Sequence, residues 1–124
     1  MVKKHIKVKI INGLNEEALA DTMGEYDEVE NIVNYYDENV QVRVIIGDKI
    51  IIERSHSDYN LKLIFEENGK NTSKYEINNP KMSMDIEVDT MMLRRCKNNF
   101  FIQYSLKLND ADMGLFSIDF QMEE

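Results

Sequence analysis

"KMSMDIEVDT", Lys81 to Thr90, alternates Met82, Met84, Ile86 and Val88 with Ser83, Asp85, Glu87 and Asp89. Side chains on an extended chain point to opposite faces in turn, so the stretch is a strand with one dry face and one wet, acidic face. The pattern continues downstream in "FFIQYSLKL" and "LFSIDFQM". Matching dry faces pairs Met84 with Leu108, Ile86 with Leu106, Val88 with Tyr104 and Thr90 with Ile102. It leaves Asp85 outside, opposite Lys107. The last strand then turns Phe116, Ile118, Phe120 and Met122 inward, against Leu108, Leu106, Tyr104 and Ile102.

Upstream the same reasoning fixes a hairpin. "VQVRVII" and "KIIIER" flank a turn at Gly47–Asp48. A loop from Gly47 to Lys49 sets Ile46 against Ile50, Val44 against Ile52 and Val42 against Arg54. Arg43 then opposes Glu53 on the outside, an opposite-charge cross-strand pair. A slip of one residue would mix the faces. "YNLKLIFEE" and "SKYEI" place Leu61, Leu63 and Phe65 against Ile77, Tyr75 and Ser73, and "HIKVKII" puts Ile6, Val8 and Ile10 on one side. Segment 16–26 is ambiguous: Asn15 is a possible helix cap and Glu16 and Glu17 suit a first turn. Thr22, Gly24 and Tyr26 read better as extended chain, so the segment is read as strand, followed by a polar turn at "DEVEN" and the strand "IVNYY". About 8–10 short strands in hairpin order with no convincing helix leave two all-β solutions, a sandwich or a closed antiparallel up-and-down barrel. The simple meander favours the barrel, because closure removes edges.

The chain of 124 residues is read as a single domain, 1–124, with 43% hydrophobic content, one Pro and one Cys. A single Cys96 precludes an intramolecular disulfide, which suits a reducing compartment and makes the cytoplasm the expected location. Lys7 and Lys9 interrupt the amino-terminal apolar residues, so no signal peptide or membrane span is expected there. A net charge of −8 has the wrong sign for a nucleic-acid binder. His5 and His56 have no second His or Cys at ligand spacing, so neither metal nor other cofactor is expected.

From Asn39 onward the order of features resembles the YwiB-like family of calycin-like β-barrels, a bacterial domain of unknown function. The pieces that carry the resemblance are "GDKIIIERS", "LIFEENGKNTSKYEI", "MDIEVDTMML", "FFIQYSLKLN" and "LFSIDFQME". Arg54 fits the family's strand-ending arginine, Tyr75 the tyrosine after the Gly turn, Thr90 the threonine closing the next strand and Tyr104 the tyrosine in the one after. Two turns depart from the pattern: His56 stands where the family tends to have glycine, and "INNP" where it tends to have a Thr-Pro-Tyr-Gly-like turn. The resemblance implies a calycin-like, lipocalin-like barrel and no known activity.

Arg54 is the sharpest pointer, since the register turns it inward and a guanidinium is almost never buried without a partner. It is either an anion receptor at a barrel mouth or one half of a structural pair. Tyr75, Thr90 and Tyr104 are inward polar tips that suit either a ligand pocket or ordinary core packing. The expected role is a non-enzymatic binding module for a small amphipathic or anionic ligand, with these four residues as candidate ligand contacts. The alternative is a protein-interaction or homodimer module with a solidly packed barrel. Asp85, Glu87 and Asp89 read as a solvated face, and the eight methionines as core filling. Cys96 sits near an exposed turn without a base or oxyanion hole beside it in sequence. Cys96→Ser should therefore change stability by no more than about 0.5 kcal/mol in urea unfolding; a loss of several kcal/mol would mean that the thiol is packed.

Overall fold

The described residues form ten consecutive strands: β1 (Val2–Asn12), β2 (Glu17–Asp27), β3 (Ile32–Asp37), β4 (Val40–Ile46), β5 (Ile50–Ser55), β6 (Tyr59–Phe65), β7 (Lys70–Asn78), β8 (Lys81–Cys96), β9 (Asn99–Leu108) and β10 (Ala111–Glu123). The computed structural model describes residues 1–13 and 17–123; Asn15 and Glu16, weighed as a helix start, lie outside them. Segment 17–26 is strand, as expected. Each strand pairs antiparallel with the next, and β1 also pairs with β10, closing the barrel.

The β4–β5 hairpin has the register expected of it, including Val42 opposite Arg54 and Arg43 opposite Glu53. Elsewhere the faces are right and the registers are corrected. Ile86 pairs with Leu108, Val88 with Leu106 and Thr90 with Tyr104, two residues from the expected pairing. The turn is the reason. β8 runs on to Cys96, which pairs with Asn99 across two residues, and Lys97 has φ 57°. A two-residue turn gives odd-sum pairing, which would set inward against outward side chains along the whole ladder. One extra residue between Thr90 and Met92 corrects the mismatch. The bulge lets Leu93 point inward opposite Ile102 while Val88 and Thr90 still point inward below it.

The β9–β10 hairpin repeats the device. Asn109 and Asp110 both have positive φ, the demand of the tight hairpin turn. An extra residue then enters β10 between Asp112 and Leu115, where Gly114 takes φ 96°. Phe116 consequently faces Tyr104 and Ile118 faces Ile102, four residues from the expected pairing. The β6–β7 pairing is also corrected by two: Leu61 meets Tyr75 and Tyr59 meets Ile77.

The inward side chains divide the barrel into two halves. At the end that carries the turns 27–32, 46–50, 65–70 and 96–99, Tyr26, Val33, Ile46, Ile50, Phe65, Leu93, Phe100 and Phe120 are buried. At the opposite end, Ile10, Val40, Leu61, Tyr75, Leu108 and Phe116 pack against that core but are only half-buried. The barrel is thus sealed at one end and less fully covered at the other, the open end.

Two joints in the wall are narrow. β6 and β7 share three ladder pairs, Tyr59–Ile77 to Leu61–Tyr75, before separating. β2 and β3 share three, Glu25–Asn34 to Asp27–Ile32. Gly24 sits at the fork of the second. A Cβ there would lie 2.8 Å from the carbonyl oxygen of Asn34 and 3.0 Å from Ile6 Cγ1. Backbone cannot yield as a flexible side chain does, so Gly24→Ala should destabilise the fold by roughly 1–3 kcal/mol, read as a lower urea midpoint with an unchanged slope. An unchanged midpoint would show that the strands part without strain.

Candidate functional site at the open end

Arg54 is the last inward position of β5, between Val42 of β4 and Leu61 of β6. Its guanidinium reaches back across β4 and donates from one Nη to Asp37 Oδ2 at 3.1 Å, at the end of β3. The side chains are 21% and 32% exposed, so the pair is partly desolvated. Burial alone would lower the guanidinium's pKa, but hydrogen bonds to Asp37 and Tyr59 more than offset it and hold the value above the usual one. The structural pair weighed for Arg54 is present. Asp37 escapes a reading of the sequence because it lies beyond the strand next to Arg54. Only the β3–β4 register, with Asp37 opposite Val40, brings it within reach.

Around this pair stands an aromatic wall. His56 stacks on Tyr59 with ring centres 5.6 Å apart, and Tyr59 meets Tyr75 edge-on at 5.8 Å. Tyr35, two residues before Asp37 on the same inward face, is buried. Burial pushes its hydroxyl up to about 12; Arg54 draws it down and Asp37 adds to the rise. Arg54, Asp37, Tyr59 and Tyr75 therefore form one constellation at the open end.

Thr90 and Tyr104 belong elsewhere. They oppose each other across β8 and β9. Tyr104 is wedged between Phe65, edge-on at 4.8 Å, and Phe116, stacked at 5.5 Å. Burial raises its hydroxyl pKa well above the ordinary tyrosine value. Thr90 is 1% exposed and its Oγ1 has no hydrogen-bond partner among the described residues. The structure thus brings two of the four candidates, Arg54 and Tyr75, to the open end and leaves the other two in the filled interior.

The remaining chemistry-bearing groups lie on the outside. Asp85 is exposed and bonded to Lys74, and Cys96 is exposed at the end of β8. His5 bonds to Asp21, with Glu123 3.9 Å away. Among the described residues, no three His, Cys, Asp or Glu side chains form a metal-holding group. No described helix is long and apolar enough to cross a membrane.

Residues 4–120 match the profile of the Domain of unknown function (DUF1934). The chain belongs to that family. Its fold is also similar to the crystal structure of ywiB protein from Bacillus subtilis, with a TM-score of 0.67 over 98% of this chain and 91% of that one. The two sequences are 17% identical, so this likeness speaks for the fold alone. No curated protein matches the sequence. The resemblance drawn from the strand order and from Arg54, Tyr75, Thr90 and Tyr104 accordingly names the right family, which carries no assigned activity.

Two outcomes check this geometry. Removing a buried hydroxyl that has no partner relieves a desolvation cost, so Thr90→Val should leave stability unchanged or raise it by up to about 1 kcal/mol; a clear loss in urea would reveal a hydrogen bond to that hydroxyl. Tyr35 titrates near 10 when unfolded and near 12 when folded. Its contribution to stability is complete below pH 10 and is lost as the pH climbs through about 12. Tyr35→Phe should flatten the fall in melting temperature across that window.

Proposed function

We propose that this barrel is a non-enzymatic binding module that takes a small amphipathic or anionic ligand at its open end. The observation that carries the reading is the contrast between the two ends. Inward apolar side chains are sealed at one end, whereas Leu61, Tyr75, Leu108 and Phe116 remain half-accessible at the other, beside an inward arginine. A ligand site needs a few placed polar groups among apolar walls. Arg54 retains donors beyond those given to Asp37 and Tyr59, since a guanidinium has five. Asp37 compensates its charge, so a head group that both donates and accepts suits the site better than a bare anion. Tyr75 and the neighbouring apolar side chains would cover the ligand's hydrophobic part. Thr90 and Tyr104 then support the floor through Phe116 without touching the ligand. The single cysteine, Cys96, supports a reducing, cytoplasmic setting.

A second reading, a protein-interaction or homodimer module, is favoured by the filled lower half of the barrel and by the exposed apolar residues on its outer wall. Native mass spectrometry of the gently purified protein separates the two. A one-to-one small-molecule adduct supports the first, and a bare dimer supports the second. Arg54→Met leaves the Asp37 carboxylate partly buried without its cation, so it should cost roughly 1–4 kcal/mol in urea. It should also abolish the thermal shift produced by a medium-chain fatty amide, whose head group both donates and accepts. A variant as stable as the parent would show that the pair is not structural. A retained shift would place ligand recognition elsewhere.

A further inference from the structure

The registers that build the wall also align its outer surface. Ile32 opposes Ile45, Ile45 opposes Ile51 and Ile51 opposes Ile64. Their chain neighbours Val33, Val44, Ile52 and Leu63 are buried inside, so the four isoleucines point outward, and each is half-buried. They form one unbroken apolar row across β3, β4, β5 and β6. The alternation of dry and wet faces fails here: Val44–Ile46, Ile50–Ile52 and Leu63–Phe65 are continuous apolar runs. Such runs belong to strands that are covered on both faces. The barrel is one layer thick, however, so no described strand lies over this face. The next outward row reads Asn34, Arg43, Glu53 and Lys62. Among the described residues, its three charged side chains are cross-strand neighbours yet form no ion pair with one another.

We infer that the outer face of β3–β6 is covered by the same face of a second copy, related by a two-fold axis that runs between β4 and β5 and parallel to them. That rotation exchanges β4 with β5 and β3 with β6 at unchanged height, so the contact is isologous. It lays Ile45 of each copy on Ile51 of the other and Ile32 on Ile64. In the next row it sets Arg43 of each copy over Glu53 of the other and Asn34 over Lys62, so no like charges meet. The face is therefore complementary to itself in both shape of pattern and charge. With the Tyr36–Gln41–Ser55–Asn60 row beyond, it measures about 19 by 20 Å, roughly 400 Å² per copy. That is about half of what each side of a standard interface buries, which makes the dimer weak, micromolar or above. This face gives the homodimer reading above its surface and leaves the ligand reading of the open end untouched.

The test is sedimentation velocity of the intact protein at low salt, from about 1 μM to about 1 mM, where monomer should give way to dimer. Arg43→Glu and Glu53→Arg should each weaken the dimer at least ten-fold alone, because each sets like charges face to face. Mixed in equal amounts, the two variants should restore it, since every facing charge pair is then opposite. Ile45→Thr with Ile51→Thr keeps strand-forming side chains and should also weaken the parent dimer at least ten-fold. The melting temperature of each variant confirms that it is folded, and the Ile-to-Thr variant serves if a charge reversal is not. A parent that stays monomeric at the highest concentration overturns the inference and leaves the isoleucine row to a different protein. A dimer that survives both charge reversals overturns this face while keeping the homodimer reading. A mixture of the two folded variants that stays monomeric overturns the two-fold arrangement, and none of these outcomes bears on ligand binding at the open end.

Discussion

The ladder between β1 and β10 is the constraint on which the rest of the molecule depends. It joins Ile6 to Met122, Val8 to Phe120 and Ile10 to Ile118, and so brings together the two ends of the described chain. Without it the ten strands would form an open sheet whose apolar face lay in water. With it, Ile6, Val33, Val42, Val44, Ile102 and Phe120 lose nearly all contact with solvent. Each such side chain contributes about 1.5–3 kcal/mol relative to exposure, but only once the wall is complete. Closure also fixes where polar groups can stand. A charged residue inside such a wall needs a partner across it, and Arg54 and Asp37 supply one another's.

Much of this was legible in the chain because the period-two pattern specifies which face each residue occupies. The inward and outward sets of β4, β5, β8, β9 and β10 follow from it directly. What the pattern leaves open is register by steps of two, since moving a strand by two residues keeps every face. In the β4–β5 hairpin the Arg43–Glu53 pair and the loop length settle the step. In β8–β9 and β9–β10 the two-residue turns at Lys97–Asn98 and Asn109–Asp110 choose it, with a bulge before the first turn and after the second. Leu93 shows why this is hard to foresee. It stands at an odd position in a strand whose inward residues had been even, and only the extra residue before it turns it inside.

The candidate site was legible in part for a related reason. An inward arginine at the end of an apolar strand is conspicuous, and Tyr75 follows from the same face assignment. Asp37, Tyr59 and His56 become neighbours only through the tilt and register of strands that the sequence does not order in space. Thr90 and Tyr104 read as pocket lining because polar tips among apolar residues suggest a ligand. Their depth could be judged only from the packing of Phe65 and Phe116 against Tyr104. The family assignment adds no chemistry, so the functional reading rests on the open end itself.

The two narrow joints have a mechanical consequence. They divide the circumference into a panel of β3, β4, β5 and β6 and a panel running from β7 through β10 to β1 and β2. Within each panel neighbouring strands are held by long ladders; between panels each join is three pairs wide. A wall built this way resembles two curved plates linked by short hinges more than a uniform tube. The β2–β3 join lies at the filled end and the β6–β7 join at the open end, so rocking one plate against the other would part β2 from β3 toward the open end and β6 from β7 toward the filled one, with every long ladder kept.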